Sequence, residues 1–357
     1  MRSFERRAGR ALALLLALSL FAAACGDDDD NASTTETSDG GAGDVSGEVT
    51  VTGSSTVEPI SIGVADLLAD ESPDVSVNVD GPGTGDGFAA FCAGEADISD
   101  ASRPIKEEEV AVCDEAGIEF VELPVAFDGI SVLTSTENDD VDCLNFADLY
   151  ALIGPEAEGN GNWSDAQSLA TELGSDTELP DADLDLTGPG EESGTYDSFI
   201  ELAFGDIAEE RVTAGSIGED QAETTRPDYT ASADDNVIIQ GIEGSSSSLG
   251  WVGFAFAQEA ADSVTSLQVS DGEGECVTPS AETIADGTYP LSRTLYIYVD
   301  AAKAESNPAV AAYVDYYLEG GYDAVEEAGY VPLPDDQLSE TQSTWEAKTT
   351  GTKVEGG

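Results

Sequence analysis

The chain is 357 residues long, 40% hydrophobic, and carries 12 Lys and Arg against 74 Asp and Glu, a formal charge of −62. It contains no histidine, which excludes a Ser-His-Asp triad, Cys-His catalysis and His-ligated metal sites. The lack of a basic footprint argues against nucleic-acid binding, and the length allows two medium lobes with separate cores.

Residues 1–24 read as an export signal. Arg2, Arg6, Arg7 and Arg10 form a basic start, and Ala11–Ala24 is an apolar run too short to span a membrane. The run ends Ala22-Ala23-Ala24-Cys25-Gly26, which resembles a bacterial lipobox in which Cys25 becomes the lipidated first residue. An ordinary signal peptide with a chance cysteine is the alternative. Residues 25–47 read as a disordered acidic tether. Four consecutive Asp, then Ser, Thr, Gly and Asn, bury too little apolar surface to offset the entropy of ordering. Without residues 1–24 the chain keeps 8 Lys and Arg against 73 Asp and Glu, a charge of −65. Such acidity reads as adaptation to salt, which screens a charged surface. Four further cysteines remain, and an even count in an exported chain reads as two disulfides. Of three possible pairings, Cys92–Cys113 and Cys143–Cys276 are preferred, the first because its members lie close in sequence within one predicted lobe.

From residue 48 the pattern alternates strand and helix. Glu48–Thr52 is a strand; Ile60, Val64, Leu67 and Leu68 mark an amphipathic helix; Val75, Val77 and Val79 alternate as a strand. The Gly-rich loop Gly81–Gly87 leads into a helix whose Phe88, Phe91 and Cys92 share one face. Ile98 lies in a short strand, Val110–Ala116 is helical, and Val121–Thr134 is a long strand with Asp128-Gly129 in its middle. Phe146–Leu152 is a helix, Asn160–Asp183 a polar surface excursion, Leu184–Leu186 a strand and Tyr196–Phe204 a helix. Asn236–Gly241 and Gly250–Phe256 are a buried helix and strand. Tyr289–Val299 is a second long strand, and helices follow at Pro308–Glu319 and Tyr322–Ala328. The order predicts an α/β fold. Two long strands predict two crossings between lobes, lobe I from 48–127 and 296–357 and lobe II from 128–295, with a cleft between them.

Three loops share one design. Ser54-Ser55-Thr56, Thr84-Gly85 and Ser193-Gly194-Thr195 each place small hydroxyl residues before a predicted helix. Singly, each reads as a helix N-cap, favoured by roughly 1 kcal/mol over Ala. Together in one cleft, their N–H groups and dipole ends would bind one small oxyanion. Ser102-Arg103-Pro104 adds a guanidinium to an otherwise acidic segment, while Arg226 and Arg293 read as partners of surface acids. The Gly loop fits neither a dinucleotide fingerprint nor a Walker A motif. Asp181, Asp183, Asp185 and Glu192 have EF-hand spacing, but Leu186 stands where that loop needs Gly, so no metal is expected.

The segments GSSTVEPI, GTGDGFAAFCAGEADISDASRPI, VAFDGISV, SGTYDSF, DNVIIQGIEGSSSSLGWVGFA and YPLSRTLYIYV resemble, in order, the periplasmic phosphate-binding proteins of phosphate ABC transporters, the PstS family. The resemblance runs from Val49 to Leu333. It implies a two-lobe type II periplasmic-binding fold with two hinge crossings that closes on one dehydrated phosphate, with no cofactor and no catalysis. Carried over by position, the phosphate ligands are Ser55, Thr56, Val57 and Thr84 from lobe I and Ser193, Gly194 and Thr195 from lobe II. Two positions depart from the best-known members: Arg103 stands in place of an Asp, and Pro189 in place of an Arg. The expectation is that Arg103 supplies the guanidinium and that Asp128, facing it, accepts the phosphate proton, with Asp86 the next choice. The implied protein is a monomeric lipoprotein on the outer face of the cytoplasmic membrane or in the periplasm, serving an ABC permease. Binding of sulfate, molybdate or tungstate, phosphate sensing without transport, and hydrolysis through Ser193 or Thr56 are the alternatives.

Overall fold

The computed structural model describes residues 45–191 and 193–352; the export signal, Cys25 and most of the tether lie outside the described residues. Twelve strands are described: β1 (Gly47–Gly53), β2 (Val75–Asp80), β3 (Ile98–Ala101), β4 (Phe120–Ser135), β5 (Cys143–Asn145), β6 (Asp185–Gly188), β7 (Thr230–Ala231), β8 (Ser248–Gly253), β9 (Val264–Ser266), β10 (Gln268–Ser270), β11 (Ser292–Asp300) and β12 (Val331–Pro332). The main sheet runs β2-β1-β3-β11-β4-β8-β6-β7, with β9 and β12 also paired to β4. Pairing is parallel among β1, β2 and β3 and among β6, β7 and β8, and antiparallel where β11 and β4 join the two sets.

The helices that matter for the site are α1 (Glu58–Glu71), α2 (Thr84–Cys92), α3 (Glu107–Ala116), α4 (Phe146–Ile153), α5 (Gln167–Glu172) and α6 (Gly194–Ala214). The period-2 pattern of β1 buries Val49 and Val51 and leaves Thr50 and Thr52 half-buried. In β4 every residue except Pro124 is buried, as expected for a strand covered on both faces. No helix among the described residues is long and apolar enough to cross a membrane.

The two long strands pass from one main core to the other. On β4, Val121, Leu123, Val125 and Ala126 join a core with Val49, Val64, Tyr313 and Tyr317. From Phe127 onward, Ile130 and Val132 join a second core with Tyr150, Trp163, Phe199 and Trp251. On β11, Leu295, Ile297 and Val299 belong to the first core, while Leu291 just before it belongs to the second. Asp128 and Arg293 face each other in register at this change-over. The two buried polar side chains are tolerated there because they satisfy each other, with Arg293 Nε donating to Asp128 Oδ2 at 3.3 Å.

Some boundaries differ from the sequence pattern. The segment 160–183 is not a surface excursion: Trp163, Ala166 and Ala170 are fully buried in the second core, and Trp163 Nε1 donates to Ser247 O at 2.8 Å. Their apolar spacing is diluted by polar neighbours, which hid α5. Helix α6 is 21 residues long and continues past Phe204 to Ala214, where Gly215 caps it in the left-handed region at φ 72°. The second long strand starts at Ser292 rather than Tyr289, whose hydroxyl instead donates to Ile130 O. The helix over 235–243 buries only Ile238 and Ile242.

The disulfides are Cys92–Cys113, which ties α2 to α3, and Cys143–Cys276. Both match the preferred pairing. Closing loops of this kind typically contributes about 2–4 kcal/mol.

Candidate functional site

The site is assembled from loops at the ends of β1, β3 and β6. After β1 the chain turns sharply: Ser54 N donates to Asp100 O at 2.9 Å, Thr56 N to Ser54 Oγ at 3.2 Å and Val57 N to Ser54 O at 3.2 Å, and α1 begins with Glu58-Pro59. Gly53 makes the turn possible. Its φ is 144°, and a Cβ there would stand 2.1 Å from Asp100 O. The second loop hangs on the first, with Gly83 N donating to Gly53 O at 2.8 Å. Thr84 is the first residue of α2, and its Oγ1 accepts from Ser102 N at 3.2 Å and lies 3.0 Å from Ser102 Oγ.

After β6, Ser193 caps α6 and its Oγ accepts from Thr195 N at 3.3 Å. A Cβ built on Gly194 would lie 3.7 Å from both Ser55 O and Thr56 Cα. The start of α6 therefore stands against the first loop. Ser55, Thr56, Thr84 and Ser102 share the wall of one cavity of about 800 Å³ with α6 residues Asp197, Ile200 and Glu201. The loops before α1 and α2 line this cavity with small hydroxyls, while Val57 and Ser193–Thr195 at the start of α6 lie outside its lining, and Thr56 N, Val57 N and Thr195 N are bonded to Ser54 and Ser193. Helix starts with hydroxyls still suit an anion, because their dipole ends favour negative charge.

The buried guanidinium beside this cavity is Arg293. Its side chain is 9% exposed. Nε donates to Asp128 Oδ2 at 3.3 Å, Nη2 to Thr56 Oγ1 at 3.1 Å and to Ser198 Oγ, and Nη1 to Glu201 Oε2. Thr56 Oγ1 and Ser198 Oγ are themselves 3.3 Å apart. One side chain thus joins β11 to β4, to the first loop and to α6. Burial works against its charge, but Asp128 and then Glu201 more than offset this and raise its pKa further. Asp197, one turn into α6, has its carboxyl raised by burial and pulled back by Arg293.

Arg103 has a different setting. Its Nη1 and Nη2 form a bidentate pair with Glu109 at 2.9 and 2.7 Å, Nη1 also reaches Pro104 O, and its Cζ lies 5.5 Å from the Phe88 ring centre. Glu109 is held in turn by Lys106 N at the start of α3. The guanidinium is committed to a local motif, and Asp128 faces Arg293, not Arg103. The sequence reading of Arg293 as a surface partner is corrected by its burial. The same reading missed Ser198, Glu201 and Asp197. Their spacing on α6, three, four and seven residues after Gly194, is the signal that would have grouped them on the face carrying the cap.

Beneath the first loop lies a fully buried carboxyl, Asp100, which has the Ser61 hydroxyl beside it and no cation paired with it among the described residues. Burial pushes its pKa up to about 8, with Ser61 opposing and Glu58 adding to the shift.

Comparison with known proteins follows this geometry. A family model described as a PBP superfamily domain matches residues 33–320. Protein SphX of Synechocystis is 36% identical over 290 residues, 81% of this chain and 79% of that protein. The phosphate-binding protein PstS of Staphylococcus saprophyticus is 33% identical over 307 residues, 85% of this chain and 86% of that protein. The chain belongs to the PstS family. A crystal structure of a possible phosphate binding protein from Planctomyces limnophilus superposes with a TM-score of 0.75 at 35% identity, covering 85% of this chain and 99% of that one. PstS from Borrelia burgdorferi shares the fold at a TM-score of 0.56 and 22% identity. The curled sheet is thus the type II periplasmic-binding fold, and the family is one of solute-binding proteins, not of enzymes.

Proposed function

We propose that the protein captures inorganic phosphate outside the cytoplasmic membrane for an ABC importer. The observation that carries the reading is Arg293, a buried guanidinium at the change-over of both long strands that touches the first loop and α6 together. The residues 48–127 and 296–357 act as one lobe and 128–295 as the other, closing on the anion. Ser55, Thr56, Val57 and Thr84 contact it from one side, and Ser193, Gly194 and Thr195 from the other. Arg293 supplies the charge-assisted hydrogen bonds assigned from the sequence to Arg103. Asp128, held beside Arg293 by the strand register, accepts the proton that phosphate carries and sulfate lacks near neutral pH. Lipidated Cys25 and the acidic tether keep the protein, a monomer, at the membrane within reach of the permease subunits.

Calorimetric titration of the protein with phosphate, arsenate and sulfate at high salt tests the ligand. Saturable binding of phosphate and arsenate, with sulfate far weaker, supports the reading; preference for sulfate or molybdate overturns it. Cys25→Ser tests the anchor, since the variant should leave the membrane fraction.

A further inference from the structure

We propose that Glu201 is a displaceable internal anion, which holds Nη1 of Arg293 and shields it from monovalent anions of a saline medium until an oxyanion of higher charge takes its place. This rests on the reading that the ligand meets Arg293. Four side chains surround that guanidinium, and three of them are fixed. Asp128 is 4% exposed within β4, Thr56 is 2% exposed, and Ser198 is fully buried on α6. Glu201 differs from them. Its side chain is 54% exposed, it stands in the cavity wall, and a long flexible stem can carry its carboxylate into water at little desolvation cost.

The charges explain why such a group would act as a filter. Asp128 alone neutralises Arg293, so Glu201 in contact leaves an excess of negative charge, to which Asp197 beside it adds. A chloride ion replacing Glu201 brings the same charge and must compete with a tethered carboxylate at high effective concentration. It gains nothing by the exchange. A phosphate dianion brings two charges and several acceptor oxygens, and it also meets the starts of α1, α2 and α6. Only the second kind of ligand has the differential affinity needed to drive the exchange.

The test is calorimetry of the full chain and of Glu201→Gln with phosphate, in chloride and in gluconate at equal ionic strength. If Glu201 holds Arg293 some nine-tenths of the time, removing it tightens phosphate binding about tenfold in gluconate. The variant should lose most of that gain in chloride, whereas the parent should shift by less than about twofold. Glu209→Gln, which removes an acid from the same cavity wall, controls for the general field. Equal or weaker phosphate binding by Glu201→Gln overturns the proposal and makes Glu201 a clamp or a proton acceptor. A matching gain in Glu209→Gln, or insensitivity of Glu201→Gln to chloride, also overturns it. Loss of binding in Arg293→Gln beside no gain in Glu201→Gln would sink this inference alone; full binding in Arg293→Gln would sink the site on which it rests.

Discussion

Arg103 and Arg293 are both sheltered guanidiniums beside one cleft, and they are held in opposite ways. Arg103 pairs six residues away with Glu109, inside one turn-and-helix motif, and its side chain is 24% exposed. Arg293 finds Glu201, Ser198, Asp128 and Thr56 at separations of 92, 95, 165 and 237 residues. A locally satisfied arginine contributes to its own loop. One satisfied only by the tertiary fold depends on β4, β11, the first loop and α6 all being in place. The difference predicts which of the two a ligand senses.

The largest expected effect comes from Arg293→Gln. Removing one partner of a buried, hydrogen-bonded charge pair costs about 2–5 kcal/mol, so phosphate affinity should fall by about two to three orders of magnitude in calorimetry. A loss under about threefold, below 1 kcal/mol, would put the ligand elsewhere.

Asp100 sharpens the comparison from below, since it sits on the strand that leads into the Arg103 loop but has no cation to pair with among the described residues. In the folded chain it keeps its proton up to about pH 8, whereas an ordinary carboxyl releases it near 3.8. Its favourable contribution is therefore fully present below about pH 3.8 and is lost as pH rises through about 8, at about 1.4 kcal/mol per pH unit across that window. Asp100→Asn should remove this slope. Thermal melts should show the variant gaining on the parent between about pH 5 and about pH 8, and parallel curves would mean that Asp100 is solvated or paired.

Asp128→Asn tests the partner that only Arg293 has. A site built to bond a substrate hydroxyl can reject the analogue without it by about 10⁴–10⁵. An amide can donate to either anion, so the phosphate-to-sulfate affinity ratio should narrow by at least about tenfold. An unchanged ratio would move the role to another carboxylate, with Asp197 next in line. The smallest effect belongs to Arg103→Ala, for which phosphate affinity should change by less than about threefold while stability falls modestly through the lost Glu109 pair.

Much of the fold was legible because its signals are local. The Val49/Val51 alternation, the Phe88/Phe91/Cys92 face and the hydroxyl-bearing helix starts at Thr56, Thr84 and Ser193 each lie within a few residues. The length of β4 could be read from its unbroken apolar run. What could not be read depends on the sheet register. Nothing near Arg293 in sequence distinguishes it from a surface arginine, since Asp128 comes opposite it only when β11 pairs with β4. Arg103 stood out because it interrupts an acidic segment, and that same acidity supplied Glu109 to satisfy it. Trp163 was hidden for a related reason: its apolar partners at 166 and 170 are small and scattered among polar residues.

The most direct test of Arg293 as the anion's guanidinium is a crystal structure of the phosphate complex. The account predicts phosphate oxygens within hydrogen-bonding distance of Arg293 Nη1, Thr56 Oγ1 and the Ser193–Thr195 helix start, with the Arg103–Glu109 pair intact. Phosphate held by Arg103, with Glu109 displaced and Arg293 still bound to Glu201, would contradict it.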